Sequence, residues 1–358
     1  MEILTVNVGS SSVKLDRFAV VDGRLRHLAR YRGNREQALD ALPSPAIAVH
    51  RVVHGGNLAR PALIDASVEA QIEACARLAP LHNPPALAMI RACRRHFGPD
   101  VPQLAVFDTA FFAGLPPVAR NYALPRTLTE AHGLRRYGFH GIAHQALWRA
   151  WQAHTGRGGK VVTLQLGAGC SAAAIADGRP LDTSMGFTPL EGLIMATRSG
   201  DVDPGLLLYL QQAAGLDATR LQDTLTHASG LLGLAGNADM AAVLADPSPA
   251  AQLAVDIYCQ RIRKYIGAYA AVLGGLDGIA FGGGVGEHAP AVRARVLGDM
   301  QWLGVRLDPR ANVNANADAR ITDADSPCAA WVFRVDEAGE LARAGHSMLA
   351  GGAWNPGD

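Results

Sequence analysis

Several short runs of this sequence carry the chemistry of anion binding. From Asn7 to Lys14 the residues read Asn-Val-Gly-Ser-Ser-Ser-Val-Lys. Gly9 lets a ligand approach the backbone, Ser10, Ser11 and Ser12 offer hydroxyls and amides, and Lys14 adds a point positive charge: the parts of a phosphate cradle. The spacing is not that of a P-loop, and the residues that follow read as a second strand and an Asp22-Gly23 turn, not as a helix. A serine-rich turn between strands has the same composition. In His50-Arg51-Val52-Val53-His54-Gly55-Gly56, Arg51 has the fork that clamps an anion bidentately, although a strand end with a surface salt bridge looks alike. His82, in the proline-bracketed Leu78–Pro84 loop, is a donor to a ligand oxygen or simply a turn residue. Asp108 sits where an apolar strand stops, a place that suits both a functional carboxylate and a turn. His140 stands between glycines after a basic pair, Arg135-Arg136. Arg198 opens Arg-Ser-Gly-Asp-Val-Asp-Pro, where Asp203-Pro204 also reads as a helix start. Should Arg51 and Arg198 converge, they form a positive site for a phosphoryl group in transit.

The elements that must position these residues repeat. Ile3–Val8 is an apolar strand feeding the first loop, and Val161–Leu166 is another, feeding Gly167-Ala168-Gly169-Cys170-Ser171. Each is followed by a strand, an Asp-Gly turn and a further strand. Because loop chemistry and turn position recur together, the pattern favours a duplicated α/β fold with a cleft between its halves over two ordinary hairpins. Val68–Leu78 has helical spacing, and Val101–Phe107 reads as a buried strand ending at Asp108. Leu253, Ile257, Ile262, Ile266 and Leu273 predict a long amphipathic helix that leads to a strand, Gly278–Phe281, and to Gly282-Gly283-Gly284, a third ligand loop. A linker is expected near Leu147–Gly159, giving domains 1–147, joined by 342–358, and 148–341, with a frayed tail from Trp354.

With 358 residues, 49% hydrophobic and 18% charged, the chain can build two real cores and keep a polar surface. Its net charge of +1 gives no reason to expect nucleic acid or an anionic membrane as partner. Five scattered cysteines, none in a Cys-x-x-Cys pair, suggest neither a disulfide framework nor a zinc site and fit a reducing cytoplasm. No basic leader and no membrane-length apolar run is read in the sequence.

Taken in order, Asn7–Lys14, His50–Gly56, Leu78–Pro84, Phe107–Phe111, Arg136–Gly141, Met185–Pro204 and Phe281–Glu287 resemble the successive signatures of the acetate kinase family, within the actin-like ATPase superfamily. The resemblance spans nearly the whole chain. It implies two actin-like (ribonuclease H-like) α/β domains around a central cleft, a homodimer, and phosphoryl transfer between ATP and a short carboxylate, dependent on Mg2+ or Mn2+, giving acetyl phosphate and ADP. Carried over to these positions, it implies that Arg51 and Arg198 hold the carboxylate or acyl phosphate. His140 and His82 would contact the moving phosphoryl group, and Asp108 would orient the nucleophile. Ser10, Ser12 and Lys14 would position phosphate, with Gly167, Gly169, Asp239, Gly283, Gly284 and Gly286 around the nucleotide. Asn7 and Glu337 would serve the metal. The acyl pocket would be Val53, Leu81, Phe139 and Pro189, bulky enough to favour a two-carbon acid.

The departures fall on the donor side. The family's second phosphate loop usually reads His-Leu-Gly-Asn-Gly, where this chain has Gln165-Leu166-Gly167-Ala168-Gly169. The adenosine loop keeps Asp239 but lacks the usual arginine after it, and Phe112 replaces a histidine. The expected activity is therefore acetate kinase with weakened nucleotide contacts. Alternatives are a carboxylate kinase using pyrophosphate or another nucleotide, and a non-catalytic metabolite-binding homologue. Retention of Arg51, Asp108, His140, Arg198 and Glu337 speaks against the last.

Overall fold

The computed structural model describes residues 1–9, 13–33, 39–40, 42–316 and 318–351. Two compact units form: one from Met1–Gly114, Tyr137–Ala146 and the segment from Asp336 onward, the other from Leu115–Arg136 and Leu147–Val335. The expected linker is helical as far as Thr155, within the helix Gly141–Thr155.

The first unit contains β1 (Glu2–Val8), β2 (Val13–Val21), β3 (Arg24–Gly33), β4 (Ile47–Val52), β5 (Ala62–Leu63) and β6 (Gln103–Phe107), in sheet order β3-β2-β1-β4-β6-β5. β1 to β3 form an antiparallel meander, β1, β4 and β6 run parallel, and β5 pairs antiparallel to β6. β1 is apolar on both sides because both faces are covered. On one face Ile3, Ile47, Val49, Leu104 and Val106 pack with Leu341, Ala342 and Ala344 of the helix Glu337–Leu349. On the other, Leu4, Val6 and Leu15 pack with Met89, Ala92 and Cys93 of the helix Asn83–Phe97.

The second unit contains β7 (Lys160–Leu166), β8 (Cys170–Ala176), β9 (Arg179–Thr183), β10 (Gly278–Gly282), β11 (Ala319–Arg320) and β12 (Ala329–Val332), in order β11-β12-β10-β7-β8-β9. This is the first topology again, strand for strand, and the register repeats with it. Asn7 faces Lys14 as Gln165 faces Ser171, and both meanders slip at matching points, Arg17/Phe18 and Ala174/Ile175. Asp22-Gly23 and Asp177-Gly178 both turn with positive φ, the geometry of tight hairpin turns. Following the parallel pairings, His50 corresponds to Phe281, Arg51 to Gly282 and Asp108 to Val335. The expected duplication is thus present at the level of single residues.

Covering elements differ. From Leu147 the helix Gly141–Thr155 packs on the second sheet, where glycines admit its bulk: a Cβ on Gly282 would lie 2.7 Å from Leu147 and 2.5 Å from Val335. The long helix Pro249–Leu273 also lies against this sheet and buries Ala251, Val255, Tyr258, Ile262 and Ile266, while Leu253, expected on its apolar face, is exposed. Among the described residues, no single helix is long and apolar enough to cross a membrane.

Candidate active site

The face of the first sheet that lies under the helix Glu337–Leu349 is apolar until its C-terminal edge, where it becomes charged. Beyond the packed Ile3, Val49 and Val106, and on the same face, come Asn7, Arg51 and Asp108, each from a different one of the three parallel strands or its end. Side chains alternate along strands, so the same alternation that seats the core places all three on one face, next to the first residue of the covering helix, Glu337. The crevice beyond the carboxyl ends of parallel strands is the usual ligand position in open α/β sheets.

Arg51 organises the group. Its Nε donates to both Asp108 carboxylate oxygens (3.2 and 3.3 Å) and its Nη2 to Oδ2 (2.7 Å), while Nη1 donates to Asn7 Oδ1 (3.2 Å). Asn7 Nδ2 donates to Glu337 Oε2 at 2.8 Å, and Glu337 Oε1 lies 3.7 Å from Arg51 Nη1. Asp108 is fully buried. Burial pushes its carboxyl up, opposed by the Arg51 guanidinium and by the His140 N–H that donates to it. Burial opposes the charge of Arg51 too, but Asp108 and Glu337 outweigh it and hold its pKa above the usual value. His140 has φ 58°, and the Gly141 N–H donates to the Asp108 carbonyl at 3.1 Å, so the His140-Gly141 turn wraps around Asp108 before the helix begins.

Of the expected acyl pocket, Val53 and Phe139 are buried in this unit, and the Phe139 ring packs edge-on to His54 at 5.5 Å. Leu81 is exposed and adjoins His82 at the start of the helix Asn83–Phe97. Sequence reasoning missed Asn83. Its buried amide accepts from the His54 N–H (3.1 Å) and donates to the His54 carbonyl (2.9 Å), tying the His82 turn to the segment after Arg51. An asparagine between His82 and a Pro-Pro pair was the available signal. Lys14 is exposed on β2 opposite Asn7, whereas Ser10 and Ser12 lie outside the described residues.

In the second unit the corresponding edge is neutral: Gln165, Gly282 and Val335. Gly167 and Gly169 close a short turn with an N–H to carbonyl bond of 3.1 Å. Gly283, Gly284 and Gly286 fall in the short helix Gly283–His288, whose Glu287 Oε1 accepts from the Gly283 and Val335 N–H groups. Asp239 caps the helix Met240–Ala245 by accepting from the Ala241 N–H at 2.8 Å. Arg198 lies in the irregular segment after β9 and donates through Nη1 to the Pro189 carbonyl at 2.7 Å. Burial lowers its pKa, opposed in part by the Cys170 thiol, and among the described residues no carboxylate offsets it. A half-buried guanidinium held by one carbonyl is poised for an anion. The Ala196 N–H donates to the Ala168 carbonyl (3.0 Å), joining the Arg198 segment to the Gly167–Gly169 turn.

No group of three or more His, Cys, Asp or Glu side chains able to hold a metal is gathered among the described residues. The adjacent oxygens of Asn7 and Glu337 are hard donors on one edge. They fit an ion such as Mg2+ that keeps waters and takes substrate phosphate oxygens, and not a caged structural metal.

The profile of the Acetokinase family matches residues 34–343. The chain is 42% identical to an acetate kinase of Clavibacter michiganensis subsp. michiganensis (strain NCPPB 382), over 98% of this chain and 99% of the relative. It is 43% identical to an acetate kinase of Chloroherpeton thalassium over 86% and 76% of the two chains. Among solved structures, Porphyromonas gingivalis acetate kinase superposes with a TM-score of 0.88 at 33% identity, covering 97% of this chain and 99% of the other. A propionate kinase from Francisella tularensis subsp. tularensis SCHU S4 gives 0.86 at 33% identity, covering 96% and 98%. With a matching profile, full-length relatives and a residue-level duplication of the actin-like α/β fold, the chain belongs to the acetokinase family.

Proposed function

We propose that this protein transfers the γ-phosphoryl group of ATP reversibly to acetate, giving acetyl phosphate and ADP, in the cytoplasm and as a homodimer. As a member of its family it is a phosphotransferase with a carboxyl group as acceptor. The observation that carries the residue assignment is the Arg51 hub, bonded at once to Asp108 and Asn7 beside Glu337.

Acetate is already anionic at neutral pH, so the reaction needs alignment and charge neutralisation more than a base. One acetate oxygen forms a bond to phosphorus as the bond to the ADP oxygen breaks, with the electron pair leaving on ADP. Arg51 and Arg198 neutralise the acceptor and the equatorial phosphoryl oxygens. Asp108 is an orienting group that fixes the Arg51 fork, and His140 and His82 donate to the group in transit. Val53, Leu81, Phe139 and Pro189 line the methyl side. Asn7 and Glu337 would hold Mg2+, which when bound neutralises phosphate charge; Lys14 and the glycines at 167, 169, 283, 284 and 286 would sit against phosphates, with Asp239 towards the nucleoside.

One observation favours a different donor: the Gly167–Gly169 turn carries no polar side chain, and the buried amide oxygen of Gln165 beside it has no partner among the described residues. Hydroxamate trapping of acyl phosphate with acetate and ATP, GTP or pyrophosphate decides between the readings. ATP is expected to support turnover with a raised KM; product with pyrophosphate alone overturns the donor assignment, and no product with any donor overturns the function. The homodimer is supported by the helix Pro204–Gln212, which buries no residue and exposes Leu206, Leu208 and Tyr209; a single-chain mass by light scattering would refute it.

A further inference from the structure

Arg198 sits on a segment with no regular secondary structure, yet its direction has to be fixed if it is to meet an anion. Residues 192–201 form a closed loop. The Asp201 N–H donates to the Gly192 carbonyl (3.0 Å), and the Gly192 N–H donates to Asp201 Oδ1 (2.7 Å). The close approach excludes side chains: a Cβ on Gly200 would lie 2.5 Å from the Gly192 carbonyl oxygen. Two residues one turn apart on the helix Pro249–Leu273 grip this neck from below. Arg261 Nη1 donates to the carbonyls of Gly192 (3.1 Å) and Asp201 (3.2 Å), and lies 3.3 Å from Asp201 Oδ2. The Tyr265 hydroxyl donates to Asp201 Oδ2 at 2.9 Å. At the tip, the backbone of Arg198 turns back on Met195 (3.2 Å) and is pressed by Gly230.

We propose that Asp201, clamped by Arg261 and Tyr265, is a positioning residue that sets the direction of the Arg198 guanidinium. The inference rests on the functional reading of Arg198. Among the described residues, the polar partners of the Asp201 side chain belong to the loop itself or to Arg261 and Tyr265 of the long helix. A carboxylate used only as a helix cap would not need an arginine and a tyrosine brought from another element. Asp203, two residues on, is the cap of the helix Pro204–Gln212.

The test is a double-mutant cycle, read in the direction that forms acetyl phosphate. Asp201→Ala is expected to lower kcat/KM for acetate at least tenfold, with KM for ATP within roughly twofold of normal. In an Arg198→Ala background the same change is expected to have no further effect, because a residue acting through another couples to it. Asp201→Asn, which keeps an acceptor for the Gly192 N–H, is expected to restore most of the loss. Additive losses in the cycle, or an Asp201→Ala enzyme with normal acetate kinetics, overturn the inference while leaving the reading of Arg198 intact. If Arg198→Ala itself retains full activity, the functional reading fails instead. Should Asp201→Ala not fold, Tyr265→Phe carries the same cycle, with a smaller loss expected and the same coupling to Arg198; additivity there overturns the inference.

Discussion

The two halves of this chain share a topology, a register and even the position of a bulge, yet the edges where ligands are expected differ completely. In the first, Asn7, Arg51 and Asp108 stand side by side and bond to one another and to Glu337. At the matching positions of the second stand Gln165, Gly282 and Val335. The fold therefore supplies positions and not chemistry. A half-buried arginine is kept in the first half because carboxylates and an amide satisfy it. The second half replaces that arginine with a glycine, and the helix passing over it comes closer than a side chain would allow.

Substituting the two arginines is the strongest way to break this comparison. Arg51→Ala and Arg198→Ala are each expected to lower acyl phosphate formation by about two to four orders of magnitude. Their stability costs should separate. Loss of Arg51 strands the buried Asp108, at about 3 kcal/mol in urea unfolding near neutral pH; loss of Arg198 removes one bond to a carbonyl, about 1 kcal/mol. The Asp108 carboxyl is already pushed up by burial, and without Arg51 it rises further. A carboxyl raised in the folded state favours folding while protonated and loses that advantage as pH rises through its folded value. The Arg51→Ala deficit should thus shrink as the pH is lowered towards that value. Equal costs for the two variants, or a deficit that grows in acid, would contradict a difference between Arg51, paired to a buried carboxylate, and Arg198, a poised cation.

A smaller effect is expected from Gly282→Ala, which forces a methyl against Val335 and Leu147. Thermal or urea unfolding should show a loss of about 1–3 kcal/mol, partly recovered when Val335→Ala is added. An additive double variant would mean that the close approach is not the reason for the glycine.

The smallest effect concerns His50, which takes the place of Phe281. His50 is fully buried, and burial pushes its pKa down to about 4, only partly opposed by the side chain of Gln103 beside it. It stays neutral in the fold while the unfolded chain takes up a proton below about 6.5, so stability is lost as pH falls from there towards about 4. His50→Leu is expected to reduce that acid loss by about 1–2 kcal/mol. Unfolding curves at pH 7 and pH 5 measure it, and an unchanged difference would remove His50 from the account.

Much of the site was legible in the sequence because its residues punctuate patterns. Asp108 interrupts an apolar strand, Arg51 ends one, and Gly282-Gly283-Gly284 breaks a third. Glu337 was reached through resemblance alone, and only the structure sets it beside Asn7, hundreds of residues away, at 2.8 Å. Asn83 and Asp201 stayed hidden for a shared reason: each acts on backbone far away in sequence, and neither leaves a periodic trace. Leu253 shows the converse error, an apolar residue at helical spacing that ends up in solvent because Ala251, Ala254 and Val255 fill the face beside it.

By itself, the order of residues determined the duplicated strand-and-turn pattern, the hairpins and the chemical character of each loop. These depend on alternation, on turn residues and on local charge, all readable within a dozen positions. Tertiary structure alone decided which loops are charged into one network and which are left neutral. That choice depends on which helix covers each sheet: Glu337 arrives with one, Leu147 with the other, and only the folded chain brings them to their strands.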